Sequence, residues 1–586
     1  MLKLTTFILA CLTFLTATGC SDLNRVDVRA NDMLKTQNSL LADGPRNAPQ
    51  IPAKDLTSGT AFPKDTPETN QPASVDPRAE ELPFSARSQV DNQSQAIIDR
   101  IQAMAETPAN ARRLTLEDSL AYAQINSTEY SGAEETYLLT ALSLIIREHE
   151  FEPRFFNETS AAVGFRGDQG SANFGGNRYK NSLRVSNDFG VRQKLPYGGE
   201  VTARMIANIT QNLDSAAQDN GQQGAQFVIN AAIPLLEGAG LSARENLIQA
   251  KRNLVYAARS FETFRRDFYV AIVSDYLDLV FRRQAIINAE RGVELNRQVE
   301  ARETALVQAG RQQPFEADLA RARTLFALDD LSAKQEAYRL ALDRFKVRIG
   351  MNTEEPISIP ATEIQFPIPD VTKNQGVIYA LEFRLDLQTA RDQLEDTRRQ
   401  IDIAENALLP SLELRGNARA SGPETDSGLS FQAQSSSISG GIFFSAPLDK
   451  MDQNVRLRQS QLVYGQAERA LGTTLDQAAL EVRRAIREID RAQFSLLIAE
   501  RNVEIANNRI EKIDAAPDRA SARDRTDSVS DLRDSEDSRD LAKKNLQIAI
   551  LQYLRTAGIL RVTPNGNLQP LPNMPVGEVI ESASKG

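Results

Sequence analysis

The chain has 586 residues, a formal net charge of -10, one histidine and no tryptophan. The length exceeds what one ordinary core requires. The acidic balance argues against a nucleic-acid partner, and a lone histidine, His149, nearly excludes a histidine-based metal site within one chain. No GxSxG elbow, P-loop, HExxH or Rossmann fingerprint occurs, so no enzyme, metal or cofactor is expected.

Residues 1–19 read as a signal peptide: Lys3, an apolar run from Phe7 to Leu15, then Ala17-Thr18-Gly19 ahead of Cys20. The run is too short to span a bilayer. The site resembles a bacterial lipobox, with Ala17 where leucine is commonest, and makes Cys20 the expected lipidation site, bearing palmitate-type chains. An ordinary cleaved signal with a free Cys20 is the alternative. Cleavage would leave one cysteine, so no intramolecular disulfide follows. Ser21 implies, by resemblance to such signals, anchoring at the outer membrane. Residues 20–112 read as a lipid-anchored, mostly disordered tether. Periodicity is absent from about Asn24 to Ser85, and eight prolines between Pro45 and Pro83 break helix and strand.

Structured sequence begins near Arg113. Thr115 and Asp118 are spaced as a capping box, and a helical pattern runs to about Glu150, with a possible break at Asn126-Ser127. Four strand-like segments follow: Phe155–Phe165, Leu183–Arg192, Val201–Ile209 and Gln226–Ile233. In the third, Val201, Ala203, Met205, Ala207 and Ile209 face one way, with Thr202, Arg204 and Asn208 opposite. A soluble sheet with one buried face or a membrane barrel could each show this. The connections favour the barrel. Arg166–Lys180 and Asn212–Ala225 are long and polar, whereas Leu195–Gly199 is a short turn.

The strand ending at Pro234-Leu235 passes into a helix from about Leu241 to Ala309. A helix of that size is about 100 Å long at 1.5 Å per residue. Proline is expected in its first turn, where no N–H is needed. A turn at Gly310–Pro314 leads to a shorter helix ending at Gly350, a typical stop. Residues 351–373 form a connector. A helix from about Val377 to Leu409, strands Leu412–Ala420 and Ser437–Ala446, a second Pro-Leu junction at Pro447, a helix to about Ile513 and another from about Asp527 to Ala557 repeat the order. The expected organisation is thus a first repeat at 113–350, a second at 374–560 and a tail at 561–586.

These residues resemble the TolC family of outer-membrane efflux factors over about Leu114 to Leu560. The resemblance rests on Leu116-Glu117-Asp118-Ser119-Leu120-Ala121, on Arg384-Leu385-Asp386-Leu387 (the family's Arg-Pro-Asp-Leu without its proline), on Ala407–Leu412 and on the two Pro-Leu junctions. It implies a membrane α+β fold: a trimeric outer-membrane β-barrel continued by a long periplasmic α-helical barrel. It also implies a passive exit duct for a tripartite efflux pump or type I secretion system. The implied partners are two further copies, a periplasmic adaptor, an inner-membrane RND or ABC transporter and outer-membrane lipid. A non-conducting coiled-coil envelope lipoprotein is the competing function.

The resemblance places Gly310, Arg311, Arg519, Ala520 and Ser521 at adaptor-docking tips, with ordinary solvated turns as the alternative. It places Asp531 and Asp534 at a channel gate, eight residues and more before Ala542-Lys543. Six carboxylates around a trimer axis would favour a cation or partial protonation. The alternative is a solvated acidic face shared with Asp524, Asp527, Glu536, Asp537 and Asp540. His149 reads as a helix-end residue. Phe155, Phe156, Phe443 and Phe444 are candidates for an interfacial girdle, with packing under the barrel as the alternative. The first half carries four strands where the family has two. Six strands per chain, about 18 per trimer, are expected, unless the extra hairpin folds outside the bilayer.

Overall fold

The alternating segments of both halves pair into a single sheet in the computed structural model, which describes residues 22–41, 111–168, 178–212, 222–360, 364–422, 435–515 and 520–562. Contacts divide the chain into two units. The first contains the sheet, built from β2 (Arg154–Asp168), β3 (Arg178–Lys194), β4 (Glu200–Asn212), β5 (Gln222–Pro234), β7 (Ser411–Ser421) and β8 (Ser435–Ser445). Their order is β2-β3-β4-β5-β7-β8, and every neighbouring pair is antiparallel. The extra first-half hairpin β2–β3 is therefore part of the same sheet, with an unbroken ladder from Arg154↔Arg192 to Asp168↔Arg178.

Directly opposed residues share a face, so the register sorts the sheet completely. One row runs Asn157, Phe189, Met205, Phe227 and Ala420. Another runs Ala161, Val185 and Ile209. Leu414 and Ile442 lie on the same face across β7 and β8. The opposite face carries Arg184, Asp188, Arg192, Arg204, Arg415 and Arg419, so apolar and charged residues alternate across the pleat. Asn187 of the apolar face is tied by its amide to Asn157 at 2.7 Å and Thr159 at 2.8 Å. Such pairing offsets the cost of amides on that face. Phe155 and Phe444 belong to the apolar face. Phe156 and Phe443 belong to the other, beneath Arg192 and Arg415 at 5.4 and 4.7 Å. The four rings therefore do not share one face, because neighbours in a strand point oppositely.

The prolines of the two junctions sit differently from the expectation. Pro234 ends β5, and the next residue, Leu235, still donates to the Leu412 carbonyl at 2.7 Å. α4 (Leu241–Gln308) starts six residues later, and Pro447 likewise lies between β8 and α8 (Met451–Ala515). These prolines end ladders, where a missing N–H is tolerated. The proline that occupies a helix's first turn is Pro314 of α5 (Pro314–Ile349).

A helix also occupies part of the supposed tether. α1 (Asp22–Leu41) buries Ala30 and Leu34, one turn apart on one face. Arg29 beside them reaches Glu152 at 2.8 Å and Glu148 at 3.1 Å. The first proline of the run comes only at Pro45, beyond this helix.

Two stretches of the chain have matching construction. α2 (Leu116–Asn126) and α6 (Lys373–Phe383) have 11 residues each and open on capping boxes, Thr115 with Asp118 and Thr372 with Gln375. Each stops at an extended residue, Ser127 or Arg384, before α3 (Thr128–His149) and α7 (Leu385–Asn406), which have 22 residues each. The continuous helix expected from Val377 is therefore split at Arg384. A left-handed glycine packs closely against each break. A Cβ on Gly350 would lie 2.1 Å from the Asn126 carbonyl oxygen, and one on Gly558 would lie 2.9 Å from the Arg384 nitrogen. The connector adds β6 (Ile357–Ser358), parallel to β1 (Arg112–Arg113).

The second unit's core is a set of helical seams. Ala380, Val482, Ile486, Ile550 and Tyr553 pack α6 against α8 and α9 (Ala522–Thr556). Ala289 and Val293 meet Ala327, Leu328 and Leu331 between α4 and α5. Val503 and Ala506 meet Leu532 between α8 and α9. α8 also leaves Phe494, Leu497, Ile498 and Ile505 exposed, a second apolar stripe that no other described part of the chain covers.

Candidate functional site

Arg519 apart, the expected gate and tip residues lie in the second unit, where α4 turns into α5 and α8 approaches α9. Gly310 is left-handed (φ 69°), and the Arg311 N–H donates to the Leu306 carbonyl at 2.9 Å, closing the α4 helix as a C-terminal glycine does. Arg519 lies outside the described residues. Ser521 is the N-cap of α9: its hydroxyl accepts from the Asp524 N–H at 3.2 Å, and the Asp524 carboxylate accepts from the Ser521 N–H at 3.1 Å. The Ser521 hydroxyl, which also donates to the carboxylate at 2.7 Å, and then the Ser521 N–H hold the Asp524 carboxyl below the usual carboxylate range. Ala520 precedes this cap. Both turns thus have helix-terminating reasons for their residues, independent of any partner.

The acidic stretch of α9 separates into two sets. Asp527, Glu536 and Asp537 face α4 and α5: Asp527 meets Arg323 at 3.0 Å, Glu536 meets Arg291 at 2.8 Å, and Asp537 meets Lys334 at 2.6 Å. Asn288 donates to Asp537 and Asp540 at 2.9 and 3.1 Å. Asp531 and Asp534 are more open, with side chains 53% and 63% exposed. Spacing of three residues puts them on one face. Asp531 is not a free carboxylate, since Arg509 of α8 pairs with it; Asp534 pairs with the adjacent Arg533 at 2.8 Å. The single crowded acidic face is accordingly split, because a helix packed on one side sorts its charges by the cations opposite.

A further ionic contact was not anticipated. Glu303 of α4 and Arg525 of α9 are buried together, 3.5 Å apart, and no hydrogen bond reaches either Glu303 oxygen. Burial raises the Glu303 carboxyl above its ordinary range, opposed by Arg525. A faint sequence signal exists: Ala289, Asn296 and Glu303 are buried seven residues apart, so Glu303 continues an inward stripe.

In the first unit, His149 closes α3, and its Nδ1 lies 2.8 Å from Glu152, the carboxylate that also takes Arg29. It serves as a helix-end residue. Among the described residues no cluster of side chains is fit to hold a metal, and no helix is long and apolar enough to cross a membrane. Cys20 lies outside the described residues.

The fold is that of outer-membrane channels. The described architecture is similar to the outer membrane protein VceC from Vibrio cholerae, with 14% identity over 76% of this chain and 96% of that one and a TM-score of 0.55. It is similar to the Campylobacter jejuni CmeC outer membrane channel at 17% identity, 80% and 89% coverage and a TM-score of 0.53. The open-state Neisseria gonorrhoeae MtrE outer membrane channel matches at 13% identity, 76% and 88% coverage and a TM-score of 0.54. No curated protein matches the sequence. Residues 379–516 match the family model of the outer membrane efflux protein. That segment resembles outer membrane efflux proteins, and the fold of the described residues is similar to that of solved outer-membrane channels.

Proposed function

We propose that this protein is the outer-membrane duct of an export system, a passive conduit that docks on a periplasmic adaptor served by an inner-membrane RND or ABC transporter. The observation that carries this reading is the sheet: one apolar face, one charged face and two unpaired edges, β2 and β8. An open edge in lipid leaves backbone groups without partners, so the sheet requires closure. Three copies, β8 of one against β2 of the next, give a barrel of about 18 strands, a size that leaves an aqueous channel. The exposed α8 stripe around Phe494 and Ile498 supports the same association. The matched stretches from α2 to α3 and from α6 to α7 support two copies of one ancestral unit, with α4 and α8 as the long staves of a periplasmic helical barrel.

Within this reading, the Gly310–Arg311 turn and the Arg519–Ser521 segment meet the adaptor, and Asp531 and Asp534 narrow the entrance. Cys20 carries the lipid, and α1, starting two residues later, ties that anchor to the sheet-bearing unit through Arg29. The test is direct. Purified full-length protein should have the mass of three chains in detergent and conduct ions in planar bilayers. A monomer that never conducts would leave the non-conducting envelope lipoprotein as the better account.

A further inference from the structure

The charged face of the sheet is unbalanced, although the chain as a whole is acidic. Three of its arginines are neutralised within the sheet: Arg192 by Glu200 at 3.1 Å, Arg204 by Asp188 at 3.2 Å and Arg415 by Glu413 at 2.7 Å. Lys194 is met by Glu150 at 2.9 Å. Arg154, Arg184 and Arg419 form no ion pair among the described residues, and Arg184 and Arg419 are exposed. Against them stands, among the residues whose side chains are described, one carboxylate without an ion pair, Glu158.

The register sets Arg419 in one transverse row with the already paired Arg204, while Arg184 lies in another row, opposite Thr210. Arg204 and Arg419 flank Val228 in one transverse row, Arg204↔Val228 and Val228↔Arg419. Two strand spacings put them about 10 Å apart. Val228 is only 2% exposed. The same row continues to Ser437 of β8, which brings no carboxylate. A guanidinium stays charged at any working pH and offers a planar fork of donors to phosphate or carboxylate.

Resting on the duct reading, in which the charged face lines the lumen, we infer that Arg184 and Arg419 make the barrel an anion-attracting vestibule, and that the exported solutes it favours bear phosphate or carboxylate groups. Threefold symmetry would set six uncompensated guanidiniums around one water-filled passage. A low-dielectric wall focuses such a field and raises the local concentration of counter-charged solute.

The test uses full-length protein in planar bilayers, with inositol hexakisphosphate as the polyanionic probe added to one side at a time. The wild type should be blocked from the side of the long strand-connecting loops, and block should weaken as salt rises. The double variant R184Q/R419Q should need roughly tenfold more probe, while R184K/R419K, which keeps the charge, should be blocked nearly as the wild type is. Equal block of the wild type and R184Q/R419Q, or no block of the wild type at millimolar probe, would overturn the inference and leave the duct standing. Complete absence of conductance in the wild type would remove the duct reading and this inference together.

Discussion

Arg525 of α9 lies 3.5 Å from Glu303 of α4 with both side chains almost wholly out of solvent, 4% and 0% exposed. A buried pair of this kind adds little over an apolar replacement, but its halves are costly alone. Arg525→Met should therefore destabilise the protein by about 3–5 kcal/mol, read as a lowered thermal midpoint in detergent. The double variant E303L/R525M should recover most of that loss. Equal loss in single and double variants would show that the pair is not the source.

The same pair has a pH signature. The Glu303 carboxyl is raised in the folded state by burial. A raised acid contributes stability below its unfolded value and loses it as pH rises through the folded one. Mild acidification should therefore favour the fold at this site, and Glu303→Leu combined with Arg525→Met should flatten that part of the profile. An unaltered stability–pH curve in the double variant would contradict the assignment.

α1 should respond oppositely to acid. The Glu152 carboxyl is held low, first by the His149 hydrogen bond and then by that of Arg29. A depressed acid supports the fold above its unfolded value and loses that support as pH falls through the folded one. A spin label at Lys35→Cys should remain immobile at neutral pH and at about pH 5, then gain mobility below about pH 4, the ordinary carboxylate range. Arg29→Ala should loosen it already at neutral pH. A label equally mobile in both proteins at neutral pH would show that Arg29 does not fasten α1.

Asp531 and Asp534 can be distinguished from a solvated face through Arg509. Asp531→Ala with Asp534→Ala should raise single-channel conductance and weaken block by multivalent cations. Arg509→Ala, which removes the counter-charge of Asp531, should strengthen that block. If neither variant alters conductance or block, these carboxylates do not line the entrance.

Much of this architecture was legible because its signals are local. Val201 to Ile209 alternates with one exception, Ile206, and β4 pairs with β3 and β5 along that run. Thr115 and Asp118 announced a helix start that the hydrogen bonds realise. What escaped depends on distant partners. The break at Arg384 is hidden by Leu385 and Leu387, which continue a helical pattern; Gly558, from beyond the end of α9, packs closely against it. Arg29 acquires significance only beside Glu148 and Glu152, more than 100 residues away. The gate residues were legible as an acidic cluster, but the cations that divide the cluster sit on α4, α5 and α8.

The central claim is that the β2–β3 hairpin belongs to a membrane barrel with lipid on one face and water on the other. Single cysteines at Val185, Phe189 and Val191, and at Arg184, Ser186 and Arg192, sample the two faces of β3. In a background with Cys20 replaced and the protein reconstituted in bilayers, the first set should react with a lipid-soluble maleimide and resist a water-soluble one. The second set should do the reverse. Equal labelling of both sets by the water-soluble reagent would place the hairpin in solvent and contradict a six-stranded contribution to the barrel.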